Sequence, residues 1–300
     1  MFEDVKIPSK EARYFIRRRA QGDLFWESEL LEDSVGIRSG KHGELGRSKV
    51  TSFDSLGAAR KKTDQDIAKK VKAGFEELTD DAIWMRGLGK KPLLLRLPVD
   101  TKALHYNARF PPQRRLDLTH IAHLPELTEV DISELKLEEL DLRPLAGCAN
   151  LTKITLDVGV KTLELEHFSQ CPQLLELSLE TGLRDLDPAR LAGCTKLESL
   201  KLYRLKGRTI ALDAFAGFSV LHTLGLMRCA CTKLDLAPLA ACEGLSCLHL
   251  QYNTKLRRLD LTPLHGHENL KLVTVDEACE LVGESEFNAE VRRFSPFGGG

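Results

Sequence analysis

The sequence predicts an α/β solenoid with a parallel sheet on its concave face, preceded by a small α+β domain. Three observations predict this fold class. One nine-residue phrase recurs as CANLTKITL from Cys148, CPQLLELSL from Cys171 and CTKLESLKL from Cys194. These copies are separated by a constant 23 residues. Residues 1–78 lack this period, which indicates a separate folding unit.

The repeat is the triad Leu-x-x-Leu-x-Leu, in which Val or Ile replaces some leucines, and it occurs seven times at steps of 23 to 25 residues. The triads are Leu127/Val130/Ile132, Leu151/Ile154/Leu156, Leu174/Leu177/Leu179, Leu197/Leu200/Leu202, Leu221/Leu224/Leu226, Leu245/Leu248/Leu250 and Leu270/Val273/Val275. The Leu-x-Leu alternation predicts a short strand, and Pro144 to Cys148 predicts a helical or irregular turn on the opposite side. A second apolar column, often written Leu-Asp-Leu, precedes each triad. Because one coil cannot bury both columns alone, neighbouring coils must stack into one core.

This pattern resembles the leucine-rich repeat. The phrase Cys-x-x-Leu-x-x-Ile-x-Leu, after a Pro-Leu or Ala-Phe turn, is similar to the cysteine-bearing bacterial class of that family. The resemblance covers residues 113–284, with the departure that no asparagine ladder follows the strands. It implies a parallel sheet whose concave face binds partners, and it implies no catalysis.

The N-terminal residues predict a small antiparallel sheet that carries one helix. Strand-like segments run over 13–18, 25–31 and 35–38, and a further strand reaches Phe53. The glycine stretch SGKHGELGR, from Ser39 to Arg47, lies before that last strand. Apolar or small residues recur at helical spacing from Ser55 to Glu77, and Gly74 is expected to weaken only the last turn of the helix.

These residues resemble a WGR domain, the module found in DNA-break-sensing poly(ADP-ribose) polymerases and in many bacterial proteins. The resemblance covers roughly residues 13–78 and rests on Phe25-Trp26-Glu27, Val35-x-Ile37, the glycine stretch, Phe53 and Lys72-Ala73-Gly74-Phe75. Ser39-Gly40-Lys41 stands where the family has Trp-Gly-Arg. The resemblance implies that this triplet engages the end of a nucleic acid strand, and the loss of its tryptophan and arginine keeps a module without DNA binding as the alternative.

Basic residues cluster on the glycine stretch and on the helix. The candidate nucleic-acid-binding residues are Lys41, Arg47, Lys49, Arg60, Lys61 and Lys62. If the loop and the helix edge share one face, glycine amides and these side chains form a patch that accepts phosphate. The alternative is a solvated helix face, because Asp64, Asp66, Glu76 and Glu77 are interleaved with the basic runs.

The overall charge is close to balance, with 43 lysine and arginine residues against 44 aspartate and glutamate residues. No global excess points to nucleic acid, a membrane surface or an acidic ligand, so any such preference must be local. The mixed-charge N-terminus does not resemble a signal peptide, and no apolar run is long enough to cross a membrane. We therefore expect a cytoplasmic protein.

The cysteines and histidines predict neither a metal site nor catalysis. Four of the eight cysteines, Cys148, Cys171, Cys194 and Cys242, share one repeat position, which indicates small buried hydrophobes in a reducing compartment. The pair Cys229 and Cys231 is closer in sequence than zinc ligands usually are. Neither a Gly-x-Ser-x-Gly elbow nor a phosphate-binding Gly-x-x-x-x-Gly-Lys-Ser/Thr stretch occurs. We expect no cofactor and no enzyme, and the alternative enzymatic hypothesis would use Cys247 or the histidines.

The x positions inside and just after each triad predict the concave face. Early coils offer the carboxylates Glu129, Asp131, Asp157, Glu176 and Glu180, whereas later coils offer Lys201, Tyr203, His222, Met227, Cys247, His249, Gln251 and Tyr252. Exposed tyrosine and methionine are favoured in interfaces. The candidate partner-binding residues are Tyr203, Met227, His249 and Tyr252.

The predicted organisation has four parts. They are a WGR-like domain at 1–78, a linker and N-terminal cap at 79–112, seven repeats at 113–284 and a flexible tail at 285–300, with Leu93-Leu94-Leu95 expected to cap the first coil. The leading hypothesis is a non-enzymatic binding protein whose first module contacts DNA ends and whose solenoid holds a protein partner. The alternative is a pure protein-interaction adaptor or an immunity-type inhibitor that does not bind DNA.

Overall fold

The structure, a computed structural model, describes residues 5–9, 11–42, 46–90, 92–107, 112–160, 162–183 and 187–295. The chain divides into two compact units. The first contains the described residues up to Val99 together with those from 112 to His120, and the second contains Asp100 to 107 and the described residues from Ile121 onward. Within these described ranges, no helix combines the length and apolar content that crossing a membrane requires.

The first unit contains a five-stranded antiparallel sheet in the order β4-β3-β2-β1-β5, with one helix. Its elements are β1 (Arg13–Arg17), β2 (Leu24–Leu31), β3 (Ser34–Lys41), β4 (Arg47–Ser52), α1 (Leu56–Lys72) and β5 (Glu76–Leu78). The helix packs against β2 and β3. Phe15, Trp26, Ile67 and Phe75 form the buried core on that side. The predicted α+β arrangement is confirmed.

Helix α1 is shorter than the predicted span from Ser55 to Glu77. It begins after Ser55, whose Oγ accepts a hydrogen bond from the Ala58 amide at 3.2 Å. It ends at Lys72 because Gly74 has a left-handed φ of 81°, a conformation that closes helices and that glycine adopts at little cost. The next residues, Glu76–Leu78, pair with β1. Gly74 therefore ends the helix instead of weakening its last turn.

A second antiparallel sheet lies in the first unit. Two of its strands fall in the segment predicted as linker and cap, and the third falls at the start of the segment predicted as repeats. The sheet has three strands in the order β7-β6-β9, namely β6 (Ala82–Gly89), β7 (Leu93–Pro98) and β9 (Gln113–Asp117). The Leu93-Leu94-Leu95 run lies in β7, opposite β6, and all three side chains are buried. A short apolar run is typical both of a hairpin strand and of a cap over a repeat. Its hydrophobicity alone therefore does not distinguish these two structures.

The second unit is a solenoid whose concave sheet has nine parallel strands, in the order β19-β17-β15-β14-β13-β12-β11-β10-β8. The strands are β8 (Ala103–Tyr106), β10 (Glu129–Leu135), β11 (Lys153–Val158), β12 (Glu176–Glu180), β13 (Ser199–Tyr203), β14 (Thr223–Met227), β15 (Cys247–His249), β17 (Leu272–Asp276) and β19 (Glu290–Phe294). Short 3₁₀ turns alternate with the strands along the chain, at Thr119–His123, Arg143–Gly147, Leu165–Gln170, Pro188–Leu191, Asp213–Gly217, Ala237–Ala241 and Thr262–Leu264. Strands β16 (Arg258–Asp260) and β18 (Glu280–Val282) pair separately. The predicted solenoid with a parallel sheet is confirmed.

The sheet extends one strand beyond the triads at each end. At one end, the residues Ala103–Tyr106 form the first strand of the sheet and pair with β10. Glu290–Phe294, which lie in the segment predicted as a flexible tail, pair with all five residues of β17. An end strand supplies partners to backbone groups that would otherwise form an open edge. This pairing explains why residues 290–294 are ordered although they lack the triad.

The triad residues and the cysteine column form the core of the solenoid. Leu151, Leu174 and Leu197 are at most 1% exposed. The buried thiols of Cys148, Cys171 and Cys242 each donate a hydrogen bond to a carbonyl of the preceding coil. These carbonyls belong to Ile121, Leu145 and Phe218, at 3.6, 3.6 and 3.4 Å. The thiols therefore join successive coils while filling core space.

Candidate binding surfaces

Three basic strand residues lie on the face of the five-stranded sheet that carries α1. Lys49 pairs with Ile37 across β4 and β3, and Lys41 pairs with Leu24 across β3 and β2. Paired residues of antiparallel strands share a face, and Ile37 and Leu24 pack against the core beneath α1. Arg47 is two residues from Lys49 on the same strand and so points the same way. The sheet contribution to the predicted patch is therefore assembled on one face.

Arg47 and Lys49 lie on an open edge strand, and Lys41 lies at the end of the neighbouring strand. All six residues of β4 are exposed, and β4 is the last strand of its sheet. Among the described residues, no carboxylate lies within ion-pair distance of Lys41, Arg47 or Lys49. Their positive charges are accordingly available to an anionic ligand.

Two glycines bring the ends of β3 and β4 close together. Gly46 has a left-handed φ of 75°, and a Cβ at this position would lie 2.6 Å from the carbonyl oxygen of Ser39. A Cβ at Gly40 would lie 2.9 Å from the Cα of Gly46. Both positions thus require glycine, and the close approach fixes Lys41 and Arg47 at neighbouring strand ends. Residues 43–45, including the predicted Gly43, lie outside the described residues.

The three candidate residues on α1 differ from one another. Arg60 and Lys61 are exposed and have no carboxylate partner in the described part of the chain. Lys62 is half-buried, and its Nζ lies 2.5 Å from both carboxylate oxygens of Asp66, one helical turn away. Asp66 thus partly balances the charge of Lys62, and a role of Lys62 as a phosphate ligand stays a prediction. We name Lys41, Arg47 and Lys49 the basic edge; a contribution of Arg60 and Lys61, on α1, stays a prediction.

The opposite face of the same sheet holds a buried cluster that sequence reasoning missed. Arg38 pairs with Glu27, and both side chains are buried. The Arg38 guanidinium lies 5.4 Å from the ring centre of Trp84. The Tyr14 hydroxyl lies 3.0 Å from Nδ1 of His42, whose pKa is lowered by burial. The sequence does place opposite charges on two predicted neighbouring strands. Predicting their ion pair, however, requires knowing the strand register, which sets residue 27 opposite residue 38.

On the solenoid, the parallel register assembles the candidate concave residues into rows. Lys201, Gly225 and His249 lie side by side on β13, β14 and β15. Tyr203 and Met227 form the next row. Tyr252 follows β15 in the left-handed region at φ 67° and is exposed. We name Lys201, Tyr203, Met227, Arg228, His249 and Tyr252 the concave patch.

Met227 does not protrude from this surface as predicted. It is only 6% exposed. A Cβ at position 225 would lie 2.7 Å from the Met227 Cε, so the methionine side chain occupies the space left by Gly225. The alternation pattern predicts the face of Met227, but its burial depends on the glycine two residues earlier. Met227 therefore forms an apolar floor.

Carboxylates predicted for the early coils are largely paired within the sheet. Three close contacts share this arrangement, each between neighbouring strands or their ends, and the first and third are ion pairs. They are Glu129 with Lys153 at 3.0 Å, Asp131 with His105 at 3.7 Å and Glu180 with Arg204 at 2.7 Å. The acidic half of the concave face is consequently less available to a cationic partner than its sequence indicates.

Cationic and aromatic groups dominate the later coils. The guanidinium of Arg228 lies 5.5 Å from the ring centre of Tyr252, which lies 6.3 Å from the ring of Phe294. Nδ1 of His249 lies 3.2 Å from Oγ1 of Thr274. Burial lowers the pKa of His249, and the charge of Lys201 lowers it further. This half of the sheet presents positive charge beside aromatic rings.

Neither surface presents a metal centre. Within the described ranges, no group of three or more His, Cys, Asp or Glu side chains is arranged to hold a metal ion. All eight cysteines are free thiols, and Cys247 on the concave face is the one that is not buried.

Two family models match the chain. A WGR domain matches residues 12–82, and a BspA type leucine rich repeat region matches residues 122–246 in six copies. Both resemblances predicted from the sequence are thereby confirmed. Neither type of domain is catalytic.

Solved structures with a similar fold include internalins of Listeria monocytogenes. Internalin C2 is 20% identical, with a TM-score of 0.50 over 64% of this chain and 82% of that chain. Internalin InlF is 19% identical, with a TM-score of 0.47 over 60% of this chain and 51% of that chain, about half of its length. At these identities the likeness to internalin C2 shows the solenoid fold alone. No curated protein matches this chain.

Proposed function

We propose that this chain, a WGR domain followed by BspA-type leucine-rich repeats, is a non-enzymatic binding protein that joins nucleic acid to a protein partner. The basic edge contacts a DNA end, and the concave face of the repeats holds the partner. The proposal places the protein in the cytoplasm, where its eight free thiols would stay reduced.

The observation that carries the DNA proposal is the basic edge itself. Lys41, Arg47 and Lys49 share one face of the sheet beside its open edge, and their charges are not neutralised by any described carboxylate. Phosphate contacts by lysine and arginine supply most of the sequence-independent affinity for nucleic acid. A short row of cations at a strand edge suits a terminal phosphate. Binding along the backbone of a duplex would need a longer row of cations.

A second candidate function is a protein adaptor or immunity-type inhibitor without DNA binding. The observation that favours it is Ser39, which stands where the family has tryptophan and is half-buried between Trp26 and Arg47 in the sheet register. A serine offers no aromatic ring for a terminal nucleotide to stack on.

The experiment measures binding of the full chain to a fluorescent duplex with a 5′-phosphorylated end, by anisotropy at several salt concentrations. We expect the logarithm of the affinity to fall with the logarithm of the salt concentration, with a slope of roughly 0.9 per phosphate neutralised. The double variant Lys41→Glu/Arg47→Glu should abolish this binding. The matched control is Lys69→Glu/Lys72→Glu, which changes the charge of the same domain equally on the last turn of α1.

Equal loss in both double variants would show that only net charge matters and would remove the basic edge as the site. Absence of binding by the unmodified chain to blunt, nicked and single-stranded DNA would favour the adaptor function. Melting temperatures of all variants identify any that fail to fold.

A further inference from the structure

We infer that the concave patch binds an acidic segment of the protein partner and holds one of its carboxylates between Lys201 and His249. This inference rests on the proposed role of the repeats as a protein-binding surface and specifies the chemistry of the partner. It draws on the shape of the floor, the charges around it and the hydrogen bonding of His249.

The floor is a shallow apolar gap between two polar side chains. Lys201 and His249 lie in one row on the strands that flank Gly225. The Met227 methyl group covers the glycine, and a Cβ at 225 would also lie 3.3 Å from Cγ of Lys201. The space above Gly225 is therefore filled by the Met227 methyl group, which gives a partner side chain an apolar floor between Lys201 and His249.

The charges at this gap are cationic. Among the described residues, no carboxylate lies within ion-pair distance of Lys201 or Arg228. Glu180, on the neighbouring strand β12, pairs with Arg204 at 2.7 Å. Asp276 is 3% exposed and accepts a hydrogen bond from the Tyr252 amide. An incoming carboxylate would thus meet cations that lack a partner.

The hydrogen bonds of His249 orient its ring for this role. The Thr274 hydroxyl donates its hydrogen to Oε1 of Gln251. Its oxygen is then left to accept, so the contact at 3.2 Å makes Nδ1 of His249 the donor. In the neutral ring Nε2 then carries the lone pair, and protonation there creates a second donor. The charged groups on nearby strands are Lys201 on β13 and the Arg292–Glu290 ion pair on β19, and Cys247 is the titratable neighbour on β15.

The border of the patch suits apolar or aromatic neighbours of that carboxylate. Tyr203 is half-buried beside Met227, and Tyr252 is exposed under the Arg228 guanidinium. A nucleic acid strand fits less well, because Arg228 already covers a face of Tyr252 and the row offers one lysine and one histidine instead of a track of cations at phosphate spacing. The surface therefore favours a peptide that carries both acidic and apolar side chains.

The probe is a displayed library of short random peptides, selected on the full chain and on two variants. Lys201→Ala removes the central cation. Lys153→Ala is the matched control, a lysine on the same face of the sheet, one row earlier on β11, that is already paired with Glu129. We expect the unmodified chain to select peptides with aspartate or glutamate beside an apolar residue. The strongest peptide, resynthesised and labelled, should bind Lys201→Ala roughly 10-fold to 100-fold more weakly and Lys153→Ala unchanged.

A calorimetric readout separates a direct role of His249 from a structural one. Binding measured in two buffers of different ionisation enthalpy should show net proton uptake near neutral pH by the unmodified chain. The variant His249→Gln should bind without that uptake, because it can still donate a hydrogen bond but cannot be protonated.

Three results would overturn the inference. They are selection of peptides without acidic residues, equal affinity of the acidic peptide for Lys201→Ala, and displacement of the peptide by a single-stranded oligonucleotide that itself requires Lys201. If selected peptides lack acids but lose binding on Tyr203→Ala, the proposed protein-binding function stands and only the inference fails. If no concave substitution alters any selected peptide, the proposed use of the concave face fails as well.

Discussion

The guanidinium of Arg38 and the carboxylate of Glu27 form a buried ion pair, with Nη2 2.7 Å from Oε2 and Nε 3.1 Å from Oε1. The variant Arg38→Met should lower the unfolding free energy of the first unit by about 3 to 5 kcal/mol, because it leaves the Glu27 carboxylate buried without its partner. Tryptophan fluorescence in urea measures this unit alone, since Trp26 and Trp84 are the two tryptophans of the chain.

The control is Arg13→Met, which breaks a pair with Glu77 that is far more exposed to solvent than the Arg38–Glu27 pair. Exposed pairs contribute less than about 1 kcal/mol, so this variant should unfold near the unmodified chain. Comparable losses in the two variants would contradict the importance of burial.

The basic edge predicts unequal effects of two lysine substitutions on DNA binding. Lys49→Ala should weaken binding and reduce the salt slope by roughly one, because an unpaired cation is lost. Lys62→Ala should change the slope much less, since Asp66 already pairs with that lysine. Anisotropy titrations at several salt concentrations compare the two, and a larger effect of Lys62→Ala would argue against this assignment.

Thiol reactivity should distinguish Cys247 from the cysteine column. Burial raises the pKa of Cys148 to about 11 and that of Cys171 to about 12, so near pH 8 almost no thiolate is present at these sites. Cys247 is partly exposed on the concave face. We expect a thiol-selective reagent to modify Cys247 first in the folded protein, with Cys247→Ser removing the fast phase in a mass-spectrometric time course. Early labelling of Cys148 or Cys171 would contradict the stacked core.

Asn253 should be more important for stability than an exposed asparagine. It is 1% exposed, its Oδ1 accepts from the Cys229 amide at 2.7 Å, and its Nδ2 donates to the carbonyls of Leu226 and Leu250. Asn253→Ala should cost at least about 2 kcal/mol, because three buried backbone groups lose their partner. Hydrogen exchange of the strands β14 and β15 measures this loss.

The control is Asn150→Ala, where the exposed side chain makes a single hydrogen bond, to the carbonyl of Pro125 at 2.8 Å. Its effect should be about 1 kcal/mol or less. If protection of β14 and β15 is the same in both variants, the bridging role of Asn253 is wrong.

The stability of the solenoid should depend on the ionisation of Asp276. Burial raises the pKa of this carboxyl above its ordinary value, and Oδ2 has no hydrogen-bond partner among the described residues. A raised folded-state pKa means that the protonated carboxyl is favoured in the folded state, so stability is lost as pH rises from the unfolded value through the folded one. Asp276→Asn keeps an oxygen acceptor and removes the charge. Its stability relative to the unmodified chain should therefore increase as pH rises above about 4, the ordinary pKa of an aspartate, as measured by thermal unfolding. A difference that is constant with pH would contradict this.

Sequence periodicity predicted the solenoid because each triad position has the same environment in every coil. Leu200, Leu224 and Leu248 are buried for one shared reason, the stacking of parallel strands, so one pattern predicts all of them. Strand β19 lacks that signal because it is held mainly by backbone hydrogen bonding to β17, which any suitable extended segment can provide. The buried hydrogen bonds of Asn253 were not predicted either, because a single asparagine does not recur from coil to coil and so gives no periodic pattern.

For this protein the sequence determined the two domains, the inward direction of the triads and the face on which Tyr203, Met227 and His249 lie, because these follow from periods along the chain. Only the tertiary structure decided that Met227 lies flat over Gly225, that Asp66 pairs with Lys62 and that Arg38 pairs with Glu27. The physical reason is that burial and charge pairing depend on which side chains meet in space. That information resides in strand register and side-chain packing, and a local pattern of residue types does not contain it.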